Sequence, residues 1–150
     1  MLKKALDLIW LAYDNEVGPD GTPYVFDAVL TALKMNNDVD KTVALLMNVL
    51  EKSAVKVEDL EEQHFPQEVI DAIIALTRGE DESFGAYLDR IGKNEYASRV
   101  KIAEFKNKIE ELKDELPNEK NSIKIEKYGY AIEFLENCDN GDASEEDEWI

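Results

Sequence analysis

Apolar residues recur along this chain at helical rather than alternating spacing. Leu2, Leu6, Ile9 and Tyr13 form a first stripe, widened by Leu8, Trp10 and Leu11, and predict an amphipathic opening helix. Gly18-Pro19-Asp20-Gly21 predicts a turn. Pro23 suits the first turn of a second helix, because its missing N–H has no helical partner there anyway. That helix is expected to carry Phe26, Val29, Leu30 and Leu33 inward. Asn36-Asn37-Asp38 ends it and caps a third helix, from about Val39 to Lys52. Its Val43, Ala44, Leu46, Met47, Val49 and Leu50 cover more than one face, which predicts a central, buried element.

The remaining segments read the same way. Val57 to Gln63 predicts a short helix, and Pro66 opens another that carries Val69, Ile70, Ile73, Ile74 and Leu76. Phe84, Tyr87, Leu88 and Ile91 mark the next. Asn94 caps a long helix through Leu112 with Ala97, Val100, Phe105 and Ile109 as its stripe, and a last helix runs from about Ile123 to Leu135 beyond Pro117-Asn118. No alternating strand pattern with hairpin turns is present, so the expected fold is all-α. With 150 residues, 44% of them hydrophobic, and no Pro/Gly/Ser-rich linker, a single-domain helical bundle over 1–136 is expected. From Glu136 to Ile150 seven residues are acidic and none is basic, which predicts a disordered acidic tail over 137–150.

Charge narrows the function. A formal net charge of −17 opposes nucleic acid and anionic membrane surfaces, since each contact with a polyanion needs a local Lys or Arg. The opening helix has Lys3 and Lys4 before its apolar run, but Asp7 and Asp14 interrupt it. It therefore reads as a helix and not a signal peptide. The lone Cys138 excludes an intrachain disulfide framework and fits a reducing compartment, with cytoplasm as the default. There is no P-loop, no G-x-S-x-G and no Cys/His dyad. His64, the sole histidine, sits in a turn with no Cys or second His to form a metal site.

Two segments carry a family resemblance: Pro23-Tyr24-Val25-Phe26-Asp27-Ala28, and Ala44-Leu45-Leu46-Met47-Asn48-Val49-Leu50-Glu51-Lys52. Further pieces follow in order, among them Phe65-Pro66-Gln67-Glu68-Val69, Leu76-Thr77-Arg78, Tyr87-Leu88-Asp89-Arg90-Ile91 and Val100-Lys101-Ile102-Ala103-Glu104. Together they resemble the HD-superfamily hydrolase domain of RelA/SpoT-type (p)ppGpp enzymes, over roughly Leu6 to Leu135. That resemblance implies an HD-domain-like helical bundle and a site built from two imidazoles and two carboxylates holding Mn or Fe, with open positions that activate water and grip phosphate.

The chain departs from the pattern at the ligands. The resemblance places Asp27 at the first histidine, Met47 and Asn48 at the His-Asp pair, and Glu104 at the last aspartate. No imidazole is left, and thioether suits Mn or Fe poorly, so no metal cofactor is expected and Met47 reads as filler of the vacated space. Asp27, Asn48 and Glu104 still offer oxygens to a hard cation such as Mg²⁺ or Ca²⁺. Lys108, one turn beyond Glu104, offers either a salt bridge in place of the metal or a solvated surface pair. The acidic pair that the resemblance expects after the ligands reads Glu51-Lys52, and without metal-bound water Glu51 has no nucleophile to direct. Basic residues are expected before the G-x-P-Y turn, where this chain has Glu16-Val17. Tyr13 stands where many relatives have histidine, and Tyr24 lies within the turn. The expected function is a catalytically inactive HD protein that binds a protein or small-molecule partner, the alternative being a phosphohydrolase with an altered metal site.

Overall fold

A computed structural model describes residues 1–14 and 16–139. They form helices and no strand, the one extended pairing being an antiparallel bridge between Val17 and Pro23. The helices fall into two compact units, Met1–Glu80 and Asp81–Ile150, the second described as far as Asp139. No described helix is long and apolar enough to cross a membrane.

In the first unit α1 (Leu2–Tyr13) ends where Asp14 turns left-handed at φ 37°, a conformation that aspartate tolerates better than most residues. The turn predicted at 18–21 is closed by the Gly18 N–H donating to Thr22 O at 2.8 Å, with Gly21 at φ 86°. α2 (Tyr24–Leu33) starts after Pro23, which sits at the cap position in an extended conformation. α3 (Asp38–Leu46) is capped by Asn37, whose Oδ1 accepts from the Asp40 N–H at 2.8 Å while its Nδ2 donates to the Asp40 carboxylate at 3.0 Å. The unit is completed by α4 (Val49–Lys52), α5 (Val57–Glu62) and α6 (Gln67–Leu76).

α3 is the buried centre of this unit: Thr42, Val43, Ala44, Leu45 and Leu46 are all enclosed, and it packs on α1, α2 and α6. Each large apolar side chain so enclosed contributes roughly 1.5–3 kcal/mol. The single helix expected from Val39 to Lys52 is interrupted. Asn48 lies at φ −107°, ψ 4°, outside the helical well, and separates α3 from the single turn of α4. Asparagine competes for backbone hydrogen bonds and holds a helix poorly, which favours the break there.

The faces of α1 and α2 also differ from the expectation. α1 turns Ala5, Ile9 and Tyr13 inward and leaves Leu6, Trp10 and Leu11 exposed, and α2 buries Ala28, Thr31 and Ala32 and exposes Phe26 and Leu33. In α2 the buried stripe is the one of small residues, which permits close approach of the helix backbones, whereas α1 buries the expected large Ile9 and Tyr13 together with Ala5. Ile74 of α6 is likewise exposed, not in the core.

The second unit contains α7 (Phe84–Gly92), α8 (Glu95–Asp114) and α9 (Glu119–Asp139). Asn94 caps α8 as expected, its Oδ1 accepting from the Ala97 N–H at 2.9 Å. α8 and α9 are zipped by Phe105 stacked on Tyr128, with ring centroids 5.1 Å apart. Asn118, expected only to break the pattern, caps α9 through the Asn121 N–H at 2.8 Å, so that helix begins earlier than Ile123. It also continues to Asp139, into the acidic tail expected over 137–150, and positions 140–150 of that expected tail lie outside the described residues. At Gly92 α7 comes so close to α9 that a Cβ would meet Cys138 Sγ at 2.8 Å.

Candidate functional site

The positions singled out from the sequence divide between the units: Tyr13, Glu16, Tyr24, Asp27, Met47, Asn48, Glu51 and Lys52 in the first, Glu104 and Lys108 in the second.

In the first unit, α1 and α2 bring Tyr13 and Tyr24 together, with ring centroids 5.5 Å apart and planes tilted by 48°. Tyr13 is buried and Tyr24 half-buried, and the Tyr24 N–H donates to Glu16 O at 3.1 Å, so the turn that carries Glu16 is tied to the start of α2. The Glu16 carboxylate itself is exposed. Asp27 stands one turn into α2, half-buried, and its backbone carbonyl accepts from the Thr31 hydroxyl at 3.0 Å. Met47 and Asn48 occupy the interruption between α3 and α4. The Met47 side chain is 2% exposed, enclosed among core residues, and Asn48 is half-buried. Glu51 and Lys52 follow on the single turn of α4 and pair with each other at 3.4 Å on the surface. Such an exposed pair contributes little.

In the second unit Glu104 is enclosed on α8, and its carboxylate is met by a partner that the sequence reading left without a role. Lys101 Nζ lies 2.7 Å from Glu104 Oε1, one turn earlier on the same helix, with both side chains only 12% exposed. The ammonium also stands over two rings, 5.2 Å from the centroid of Tyr87 and 5.1 Å from that of Phe105. Burial works to lower the Lys101 pKa, but the Glu104 carboxylate and Tyr87 outweigh it and hold the amine well above its ordinary value. Lys108 is half-buried further along α8. The signal for Lys101 was present in Val100-Lys101-Ile102-Ala103-Glu104, where Lys and Glu stand at the i, i+3 spacing that makes helix neighbours.

A half-buried charge pair flanks α7: Arg90 Nε and Nη2 donate to the two Glu82 carboxylate oxygens at 2.9 and 2.8 Å. The Glu82 carboxylate raises the Arg90 pKa further above its ordinary value, against the opposing effect of burial. This two-pronged geometry fixes Arg90 as a structural residue of the second unit. His64 is exposed at the end of α5 with φ 61°.

These side chains do not fit the metal that the family resemblance implies. Among the described residues no three His, Cys, Asp or Glu side chains gather closely enough to hold an ion. At the implied ligand positions one donor is a buried thioether, another a neutral amide, and the Glu104 carboxylate already has an ammonium in contact.

The described helices form an all-α fold. Among solved structures the chain is similar to a metazoan ortholog of SpoT that hydrolyzes ppGpp and plays a role in starvation responses. The two share 16% identity at a TM-score of 0.69, over 93% of this chain and 85% of that one, a likeness of fold. No family model and no curated protein matches the chain.

Proposed function

We propose that this chain uses an HD hydrolase fold without hydrolysing nucleotide, and acts as a cytoplasmic binding or regulatory module for a protein or small-molecule partner. The observation that carries this reading is the donor set. Where the resemblance places four metal ligands, the chain has Asp27, an enclosed Met47, the amide Asn48, and a Glu104 paired with Lys101 at 2.7 Å. An internal ammonium beside the carboxylate supplies the positive charge that a cation would otherwise give, so the fold needs no ion there to balance Glu104. Without a metal to lower the pKa of water, Glu51 has nothing sufficiently nucleophilic to direct at a phosphoester. The exposed Glu16 and the net charge of −17 further disfavour a polyphosphate, nucleic acid or an anionic membrane as ligand.

The alternative, a phosphohydrolase with an altered metal site, draws on the fold likeness to a protein that hydrolyzes ppGpp. Two measurements separate these readings. Elemental analysis of the purified protein is expected to find no stoichiometric transition metal, and incubation with ppGpp and Mn²⁺ is expected to give no turnover above the metal-only blank. A bound metal at one per chain, or turnover, would overturn the proposal in favour of the alternative.

A further inference from the structure

The apolar residues that α1 and α2 turn outward form one continuous surface in the first unit. A hollow of about 470 Å³ is floored by Trp10, Leu11 and Phe26, with Asp14 and Glu16 at its edge. A second of about 340 Å³ is floored by Leu2, Leu6 and Leu33, with Lys3 and Lys41 at its edge, and Val29 lines both. Exposure is heavy for such side chains: 66% for Trp10, 78% for Leu11, 55% for Phe26 and 73% for Leu33. Isolated exposed apolar residues are ordinary, but a contiguous groove of them marks a surface that is covered by something.

The charges say what covers it. Around the groove stand Lys3, Lys41, Asp14 and Glu16, with Asp7 paired to Lys3, so it is close to neutral on a chain of net charge −17. The signs are also segregated, the carboxylates at the Trp10 end and the amines at the Leu6 end. Lys3 reaches Asp7 at 3.1 Å in an exposed pair, and among the described residues Lys41, Asp14 and Glu16 make no ion pair. An apolar groove with a basic end and an acidic end is complementary to a copy of itself turned end for end.

We propose that this face is where two copies of the chain meet, related by a two-fold axis that lays the acidic end of each groove on the basic end of the other. The apolar floor supplies the affinity and the charged ends set the orientation. Because the groove is a near-neutral part of an acidic surface, two copies approach there with the least repulsion. The interface is independent of whether the chain hydrolyses anything.

The test is the solution mass of the full chain, measured by light scattering or sedimentation from low to high micromolar concentration. The expected result is a species of twice the 17.1 kDa chain mass. Trp10→Glu with Leu11→Glu should return it to the chain mass with the helical spectrum retained. Lys3→Glu with Lys41→Glu should separate the copies, and so should Asp14→Lys with Glu16→Lys, whereas an equimolar mixture of these two double variants should restore the doubled mass. A wild-type chain that stays at its own mass at high micromolar concentration overturns the proposal. So does a doubled mass that survives the Trp10 and Leu11 changes, or a mixture that fails to reassociate.

Discussion

Replacing Lys101 by methionine removes the ammonium that lies 2.7 Å from the enclosed Glu104 carboxylate and keeps most of the side-chain volume. Because both side chains are 12% exposed, solvent does little to compensate. Breaking a buried pair from one side costs about 3–5 kcal/mol. For a chain of 150 residues each kcal/mol moves the melting temperature by roughly 2–4 °C, so a fall of about 10 °C is expected. Removing the carboxylate as well, by adding Glu104→Gln, should recover the larger part of the loss, since an absent pair strands no charge. The assay is urea unfolding followed by circular dichroism for the wild type, the two single variants and the double variant, with unchanged m-values as evidence that the same structure is unfolding. A Lys101→Met cost below about 1 kcal/mol, the range of surface pairs, or strictly additive single changes, would refute the pair as an internal balance of charge.

The same pair has a signature in pH. The Lys101 amine is held above its ordinary value of 10.5, so its contribution is fully present below that pH and is lost as alkaline pH rises through the folded-state value. Denaturant unfolding should show wild-type stability declining above about pH 10.5 with a component absent in Lys101→Met. Met47→Ala should cost about 2–5 kcal/mol in the same unfolding measurement, as for other enclosed large-to-small changes, and a near-neutral result would show that the space it fills is open. Mn²⁺ should leave the melting temperature unchanged, because only an ion that binds the folded chain can raise it. Gly92→Ala should destabilise by about 1–3 kcal/mol despite alanine's better helix propensity, and Cys138→Ala in the same chain should relieve part of it, since the 2.8 Å approach is to that thiol while the Cys138 Cβ at 3.3 Å remains.

Helix content was legible because 3.6-residue periodicity is strong in α1, α2, α3, α6 and α7, though weak in α8 and nearly absent in α9, and the Gly18–Gly21 turn and the Asn94 cap follow from local backbone chemistry alone. Ile9 and Tyr13 were legible as part of the inward face of α1, but the rest of that face and the inward face of α2 were not. Periodicity identifies stripes but does not rank them, and hydrophobic size favoured Leu6, Trp10, Phe26 and Leu33, whereas backbone approach favoured Ala5, Ala28 and Ala32. Asn118 illustrates the same limit, since an asparagine after proline reads equally as the end of one helix or the cap of the next. In the candidate site, the identities at 27, 47, 48 and 104 and the missing imidazoles were plain from the sequence. The sequence offers Glu104 two lysine neighbours on its helix, Lys101 at i−3 and Lys108 at i+4, and what sets Lys101 apart is tertiary: the Tyr87 ring of α7 stands over it together with Phe105 of its own helix.

The interruption at Met47 and Asn48 divides one long cooperative helix into two segments of unequal permanence. A single turn such as Val49–Lys52 cannot sustain itself and persists only while Val49 stays enclosed and the Lys52 amide keeps its 2.8 Å bond to Asn48 O. Amide protons of this turn should therefore exchange with solvent through small local openings, while those of α3 wait for the unit to come apart. Glu51 and Lys52 thus ride on the segment that unravels first, so any ligand that engages them must also supply the order that this turn lacks.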